Sequence, residues 1–389
     1  MKRLLTFFLI CFSFVEYTRA EDIINYKYWD EGKLTWDDFQ DTLSLKGVPS
    51  AFNAFLRIEK TEKRDGNTRT IRPEAQACFD KRHSFADRQI QNENLLRLFQ
   101  LKYDLLEMYR RRLQTELNLG VVGIAAGNRT RQYMDLYTEQ SKKAEQETEN
   151  GQNEIKLQEW EFYVTKELIE NPAPSIPRIS PRRFGYGFYL GTGASFPVGS
   201  IADYWDPAWQ INVGFDLAYA NTHLLCDFAA GTARTRQEIT VSNGQITDTW
   251  LRNGHNTYTS ISLGIGQQLI STKYFALMPY VGCIWSGYSD QAKIQEGRNE
   301  RTTLSYTNFN WTAGICFDYR FSTTISLVPS FWRGHREIFT ASIRTKLFIN
   351  REQFHNFKIA PDDNGSMLRG CKLGFSVACL GFSRLLQIK

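Results

Sequence analysis

Residues Trp209–Tyr219 read WQINVGFDLAY, with Trp209, Ile211, Val213, Phe215, Leu217 and Tyr219 on one parity and Gln210, Asn212, Gly214, Asp216 and Ala218 on the other. Successive side chains of a strand point to opposite faces, so strict period two marks a half-buried strand. The run is longer than the ~5–6 residues usual in a soluble sheet and matches the ~9–11 residues a tilted strand needs to cross a bilayer. On that reading the apolar parity faces lipid and the polar parity faces an interior.

The pattern continues on both sides. Phe184–Phe196 sets Phe184, Tyr186, Phe188, Leu190 and Phe196 against Gly185, Gly187, Gly191, Gly193 and Ser195. Similar segments follow at 222–235, 257–270, 273–287, 306–320, 323–333 and 337–349, with weaker ones at 354–360 and 368–381. In NFNWTAGICFDYRF the outward set is Phe309, Trp311, Ile315, Phe317 and Tyr319, against Asn310, Thr312, Gly314, Asp318 and Arg320. Tight connections are expected after 220, 270 and 320, and long polar ones at 199–207, 236–256 and 288–305. Short periplasmic turns alternating with longer outer loops, and an even strand count, characterise single-chain outer-membrane barrels. A soluble sandwich is the competing reading, but it would need shorter strands and a second sheet to cover the apolar face.

Residues 184–389 are therefore expected to form an all-β antiparallel transmembrane barrel of 8–10 strands. In pattern they resemble the small outer-membrane β-barrels typified by OmpA-like proteins, although the terminal LLQIK departs from the aromatic ending common in that class. The interior parity carries Asp216, Asp227, Asp318, Arg320, Arg344 and Lys346. Opposite charges enclosed in a narrow interior point to mutual neutralisation, because an unpaired buried charge is costly. An interior of this size is largely filled by side chains, which disfavours a general porin; a gated or narrow pore is the alternative. Cys226, Cys283, Cys371 and Cys379 share the outward parity, and Cys316 the inward one.

The compartment is read from the start of the chain. MKRLLTFFLICFSFVEYTRA has a basic opening, an apolar run from Leu4 to Val15 and a small residue at Ala20, which fits a cleaved secretory signal at 1–20. A net charge of +5 over 389 residues is too mild to argue for nucleic acid. Pro172, Pro174, Pro177 and Pro181 mark a linker at 171–183, separating the barrel from a mixed, mostly helical module at 21–170.

Within that module, LLRLFQLKYDLLEMYRRRL (Leu95–Leu113) has the 3.6-residue periodicity of an amphipathic helix, with Arg110, Arg111 and Arg112 expected as its solvated basic end. Charged residues 131–168 are expected to form two helices joined near Asn150-Gly151. The opening Leu34-Thr35-Trp36-Asp37-Asp38-Phe39, the phrase Cys78-Phe79-Asp80-Lys81-Arg82-His83-Ser84-Phe85 and the helix with Tyr103-Asp104-Leu105-Leu106-Glu107 together resemble a family of secreted zincin-like, metallopeptidase-like domains of unknown function. That resemblance implies an α+β fold and, in the family, a helix bearing H-E-x-x-H, whose two His bind zinc while Glu polarises water. Here Leu98, Phe99 and Lys102 stand at the His, Glu and His positions. Leu and Phe have no ligand atom and Lys is protonated at neutral pH, so the resemblance implies a catalytically silent module.

Of His83, His223, His255, His335 and His355, no two have a ligand-pair spacing, so no metal or other cofactor is expected and no enzyme activity. A residual hydrolase using His255 or His335 is the remote alternative. The expected function is a structural or binding role in the outer membrane of a Gram-negative bacterium, with the module in the periplasm. Its partners would be outer-membrane lipid and a periplasmic protein, and not nucleic acid.

Overall fold

The computed structural model describes residues 25–41, 49–242, 247–290, 305–328, 336–354 and 368–388. The expected signal at 1–20, most of loop 288–305 and nearly all of the expected strand 354–360 lie outside the described residues. The chain divides into two compact units, one of residues 1–60 with 73–177 and one of residues 61–72 with 178–389.

The first unit combines short strands with three helices. Its strands are β1 (Tyr26–Tyr28), β2 (Ser50–Ala51), the paired β3 (Ala54–Asp65) and β4 (Thr68–Asp80), whose tip belongs to the second unit, and β5 (Phe85–Ala86). Helix α1 (Glu93–Leu119) starts where the Asn92 side chain accepts the Leu95 amide at 2.9 Å and ends at Gly120, whose φ of 123° a side chain would oppose. Helices α2 (Ile124–Glu147) and α3 (Glu154–Glu170) pack against it, joined through Asn150 and Gly151, both at positive φ. Leu98, Leu101, Tyr103, Leu105, Leu106, Leu113 and Leu117 of α1 are all buried, so the helix is enclosed on more than one face.

Its basic end is not solvated as its composition suggests. Glu107 is buried one turn earlier and takes Arg110 in a fork at 2.6 and 2.8 Å and Arg111 at 2.8 Å. Arg111 also donates to the carbonyls of Leu168 and Asn171, which lie at the end of α3. A buried carboxylate needs such partners, and this need outweighs the solvation of two of the three arginines; Arg112 alone stays largely exposed.

The second unit is built from β6 (Ile179–Gly199), β7 (Ala208–Tyr219), β8 (Thr222–Arg234), the small pair β9 (Ile239–Ser242) and β10 (Thr247–Trp250), β11 (His255–Gln267), β12 (Ile270–Ser271), β13 (Phe275–Asp290), β14 (Ser305–Ser326), β15 (Glu337–Phe354) and β16 (Leu368–Ile388). Eight of them pair antiparallel in a cycle: β6 with β7, then β8, β11, β13, β14, β15 and β16, which returns to β6. Each strand of the cycle has two partners, so the cycle has no edge to protect.

Three expectations about this half are corrected. Segments 306–320 and 323–333 are not two strands with a turn after 320. As far as it is described, β14 runs straight through: a register shift between Arg320 and Ser322 absorbs the irregularity, and Thr323–Ser326 pairs on one side with β15 and on the other, in parallel, with Thr68–Ile71. The polar FSTT suggests a turn, but a bulge accommodates an unpaired residue without ending the ladder. The weak segment at 368–381 is a full strand that carries the closure and takes up Leu385–Ile388 of the C-terminus. The linker ends earlier than 183, because Ile179, Ser180 and Pro181 already pair with β16 across a second register shift, where a missing amide hydrogen is tolerated.

Parity holds around the cycle. Trp209, Ile211, Phe215, Leu217, Ile265, Val281, Phe309, Trp311 and Ile315 are exposed on the outside, whereas Asp216, Tyr189, Tyr258, Tyr280, Asn256 and Lys346 are buried within. Interior tyrosines fit because glycines face them: a Cβ on Gly214 would meet the Tyr189 ring at 2.2 Å, and one on Gly314 would meet that of Tyr280 at 2.7 Å. The abundance of both residue types is one packing device.

Candidate functional site: a stacked charged interior

Because β15 places Arg344, Lys346, Asn350 and Glu352 on its inner face, one strand supplies charge at three levels. At the level nearest the β7–β8 turn, the buried Arg344 donates through Nε and Nη2 to Asp318 at 2.7 and 2.9 Å, and through Nη2 to Asp216 at 2.8 Å. The Nδ1 of His223 lies 2.7 Å from the other Asp216 oxygen. At the middle level, Lys346 donates to Asp227 at 2.5 Å, and Tyr189 and Ser262 donate to the same carboxylate. The Lys346 ammonium also stands 4.4 Å from the Tyr280 ring centroid. At the third level, towards the longer connections, Lys372 lies 3.3 Å from Glu352, which accepts from Ser286 at 2.9 Å. Its ammonium is set between the rings of Tyr258 and Tyr288 at 3.8 and 4.3 Å, and Trp205 stacks on Tyr288 at 4.6 Å.

Of the six interior charges read from the sequence, Asp216, Asp318 and Arg344 come together, and Asp227 meets Lys346. Arg320 stands apart: it is half-buried and donates to the Thr272 carbonyl at 2.7 Å. The Glu352–Lys372 pair and His223 were missed. All three lie on the inward parity of their strands, so extending period two to the strand ends exposes them.

These pairs leave little open space. A cavity of about 40 Å³ lies at the middle level beside Asn212, Asp227 and Lys346, and one of about 260 Å³ lies at the end near the β7–β8 turn. Chemically the interior is a set of paired, hydrogen-bonded charges.

In the first unit, the three motif positions are core. Leu98 is buried, and Phe99 packs in an aromatic cluster with Phe39, Phe52 and Trp36. Lys102 extends to Glu145 of α2 at 2.5 Å with its ammonium 4.7 Å from the Phe52 ring centroid. The flanking motif residues stabilise turns: Asp38 accepts from Thr35 and from Lys27, and Asp80 accepts from the amides of Arg82 and His83. Burial pushes the Asp104 carboxyl above its ordinary value although Trp29 and Gln100 both donate to it. Burial also pushes the Cys78 thiol up to about 12, which leaves it unreactive. Among the described residues, no group of three or more His, Cys, Asp or Glu is placed to hold a metal ion. Nor is any described helix long and apolar enough to cross a membrane.

The strand cycle, its apolar exterior and its charged filling define an antiparallel β-barrel-like architecture. No protein-family model matches the chain, and no curated protein matches it. Among solved structures, Ail, the attachment invasion locus protein of Yersinia pestis, in complex with the heparin analogue sucrose octasulfate, is similar at 12% identity over 52% of this chain and 99% of that one, with a TM-score of 0.27. A major outer membrane protein of Thermus thermophilus is similar at 12% identity, 51% and 98% coverage and a TM-score of 0.24. The N-terminal β-barrel domain of Pseudomonas aeruginosa OprF follows at 11% identity, 51% and 99% coverage and a TM-score of 0.22. Likenesses this slight leave the architecture resting on the strand pairings themselves.

Proposed function

We propose that the second unit is a closed, non-conducting β-barrel of a Gram-negative outer membrane with a structural or binding role. The observation that carries this reading is the exterior. Trp209, Ile211, Phe309 and Val281, on three different strands, are each more than 60% exposed, and a continuous apolar band of this kind is unfavourable in water and suited to lipid. The short β7–β8 turn lies at the end where β6 enters, which in such barrels is the periplasmic end, so residues 25–177 are assigned to the periplasm. That module is read as zincin-like and catalytically silent, supported by the apolar packing of Leu98 and Phe99 and the ion pair of Lys102 with Glu145. It would dock a periplasmic protein. The paired interior supports a plugged barrel over a gated pore.

Membrane fractionation combined with heat-modifiable gel mobility tests the assignment. An outer-membrane protein whose unheated form migrates differently from its boiled form is expected. A soluble periplasmic protein without a mobility shift would sink it.

A further inference from the structure

The cavity of about 260 Å³ at the end near the β7–β8 turn is not accounted for by the plug. Three arginines line it, Arg320, Arg344 and Arg384, together with His223 and a single carboxylate, Asp318. Asp318 is engaged by Arg344 at 2.7 and 2.9 Å, and Asp216 behind it by Arg344 and His223. Three guanidinium charges against two carboxylates leave an excess of one positive charge, before any proton on His223.

Two buried polar atoms at this cavity have no hydrogen-bond partner. Arg344 is 2% exposed and its Nη1 makes no hydrogen bond, and His223 is 5% exposed and its Nε2 makes none. Asp216 holds Nδ1 of the same imidazole, so Nε2 is the free ring atom, a donor when the ring is protonated. Buried polar atoms are rarely left unsatisfied in a folded protein, and a pair of them lining one cavity points to a ligand that would satisfy both. Arg320 and Arg384 are each fixed by one hydrogen bond to a turn carbonyl, of Thr272 at 2.7 Å and Ala220 at 2.6 Å, which anchors their guanidinium groups at the rim.

We infer that this cavity is a binding site for a small oxyanion, a phosphate or carboxylate group, held by Arg344 and His223 at its base and by Arg320 and Arg384 at its rim. Guanidinium groups present paired N–H donors matched to the oxygens of such groups. The volume lies below the ~300 Å³ at which pockets for drug-sized ligands begin, so the ligand is small or enters by its anionic end alone.

The test is calorimetric titration of the full chain in zwitterionic detergent with inorganic phosphate, with acetate and, at matched ionic strength, with chloride. Saturable binding of phosphate or acetate but not of chloride is expected, and which of the two binds separates phosphate from carboxylate chemistry. The double change Arg320→Gln and Arg384→Gln is expected to weaken it about tenfold or more, with heat-modifiable mobility retained as proof of folding. Should that variant not fold, the single rim change Arg384→Gln is read by the same criterion. Absence of saturable binding of either oxyanion, or binding unchanged in the folded variant, overturns the inference. Gel mobility in the same samples reports on the membrane reading separately, so the two can fail independently.

Discussion

Arg344 reaches across the interior to Asp216, Nη2 to Oδ2 at 2.8 Å, although their strands β15 and β7 are not ladder neighbours. The same guanidinium holds Asp318 on the adjacent strand, so one side chain ties three walls of the ring. Replacing Arg344 by Met should therefore strip Asp318 of its ion-pair partner, leave Asp216 with His223 alone and cost about 3–5 kcal/mol. Replacing all three residues by apolar ones of similar volume should cost much less, because a whole buried network can be exchanged for packing without a lone charge left behind. Urea unfolding followed by gel mobility compares the two. A single variant as stable as the parent would show that Arg344 is not a structural tie.

The middle level bears on conduction. Lys346, Asp227, Tyr189 and Tyr280 occupy it, and the cavity beside them, at about 40 Å³, has room for a few waters only. Purified protein in planar bilayers should give no discrete conductance steps. Reproducible single-channel steps from the unaltered chain would overturn the plug and favour the gated pore.

Most of the ring could be read from period two, because the inward and outward sets differ so sharply in polarity. Trp209–Tyr219 lies wholly within β7, which begins one residue earlier, at Ala208. What failed was connectivity: nothing local in FSTT announces that β14 continues, since its extension is stabilised by a distant partner at Thr68–Ile71. The interior charges were legible one by one from parity, but their pairing was not. Arg344 meets Asp216 only after strand order and register are set, and Lys372 is held by Tyr258 and Tyr288 from two other strands. In the first unit, helix α1 was plain in its periodicity, whereas the burial of Arg110 and Arg111 depends on Glu107 being drawn inside, a tertiary effect outside the reach of helical pattern.

Phe99 and Lys102 separate core packing from charge. Phe99→Ala removes a ring from the cluster of Phe39, Phe52 and Trp36 and should cost about 3–5 kcal/mol. Lys102→Met keeps the stem against Phe52 and loses the pair with Glu145, itself one-third exposed, so about 1 kcal/mol or less is expected. Unfolding followed by the helical far-UV signal measures both, since the α-helices among the described residues all lie in this unit. A larger loss for Lys102→Met than for Phe99→Ala would mean that the charge, not the packing, maintains this site.

Two carboxylates of the same unit should respond to pH with opposite signs. For Asp104, burial is the dominant influence and raises the folded-state value above the ordinary 3.8 in spite of hydrogen bonds from Trp29 and Gln100. Its contribution to stability is therefore complete at pH below that ordinary value and is lost as pH rises through the folded value. For Asp38, burial also pushes upward, but Lys27 at 2.7 Å and the Thr35 amide at 2.9 Å outweigh it and hold the carboxyl below 3.8. That contribution is present at neutral pH and is lost as pH falls through the lowered value. Asp104→Asn should gain stability relative to the parent as pH rises from about 4 to 7, because an amide oxygen still accepts from Trp29 and Gln100 without carrying a buried charge. Asp38→Asn should lose about 1–3 kcal/mol at pH 7, with the deficit shrinking towards pH 3. Unfolding of each full-length variant across this range gives two difference curves. If they slope the same way, burial does not dominate at Asp104 and the assignment of opposing causes is wrong.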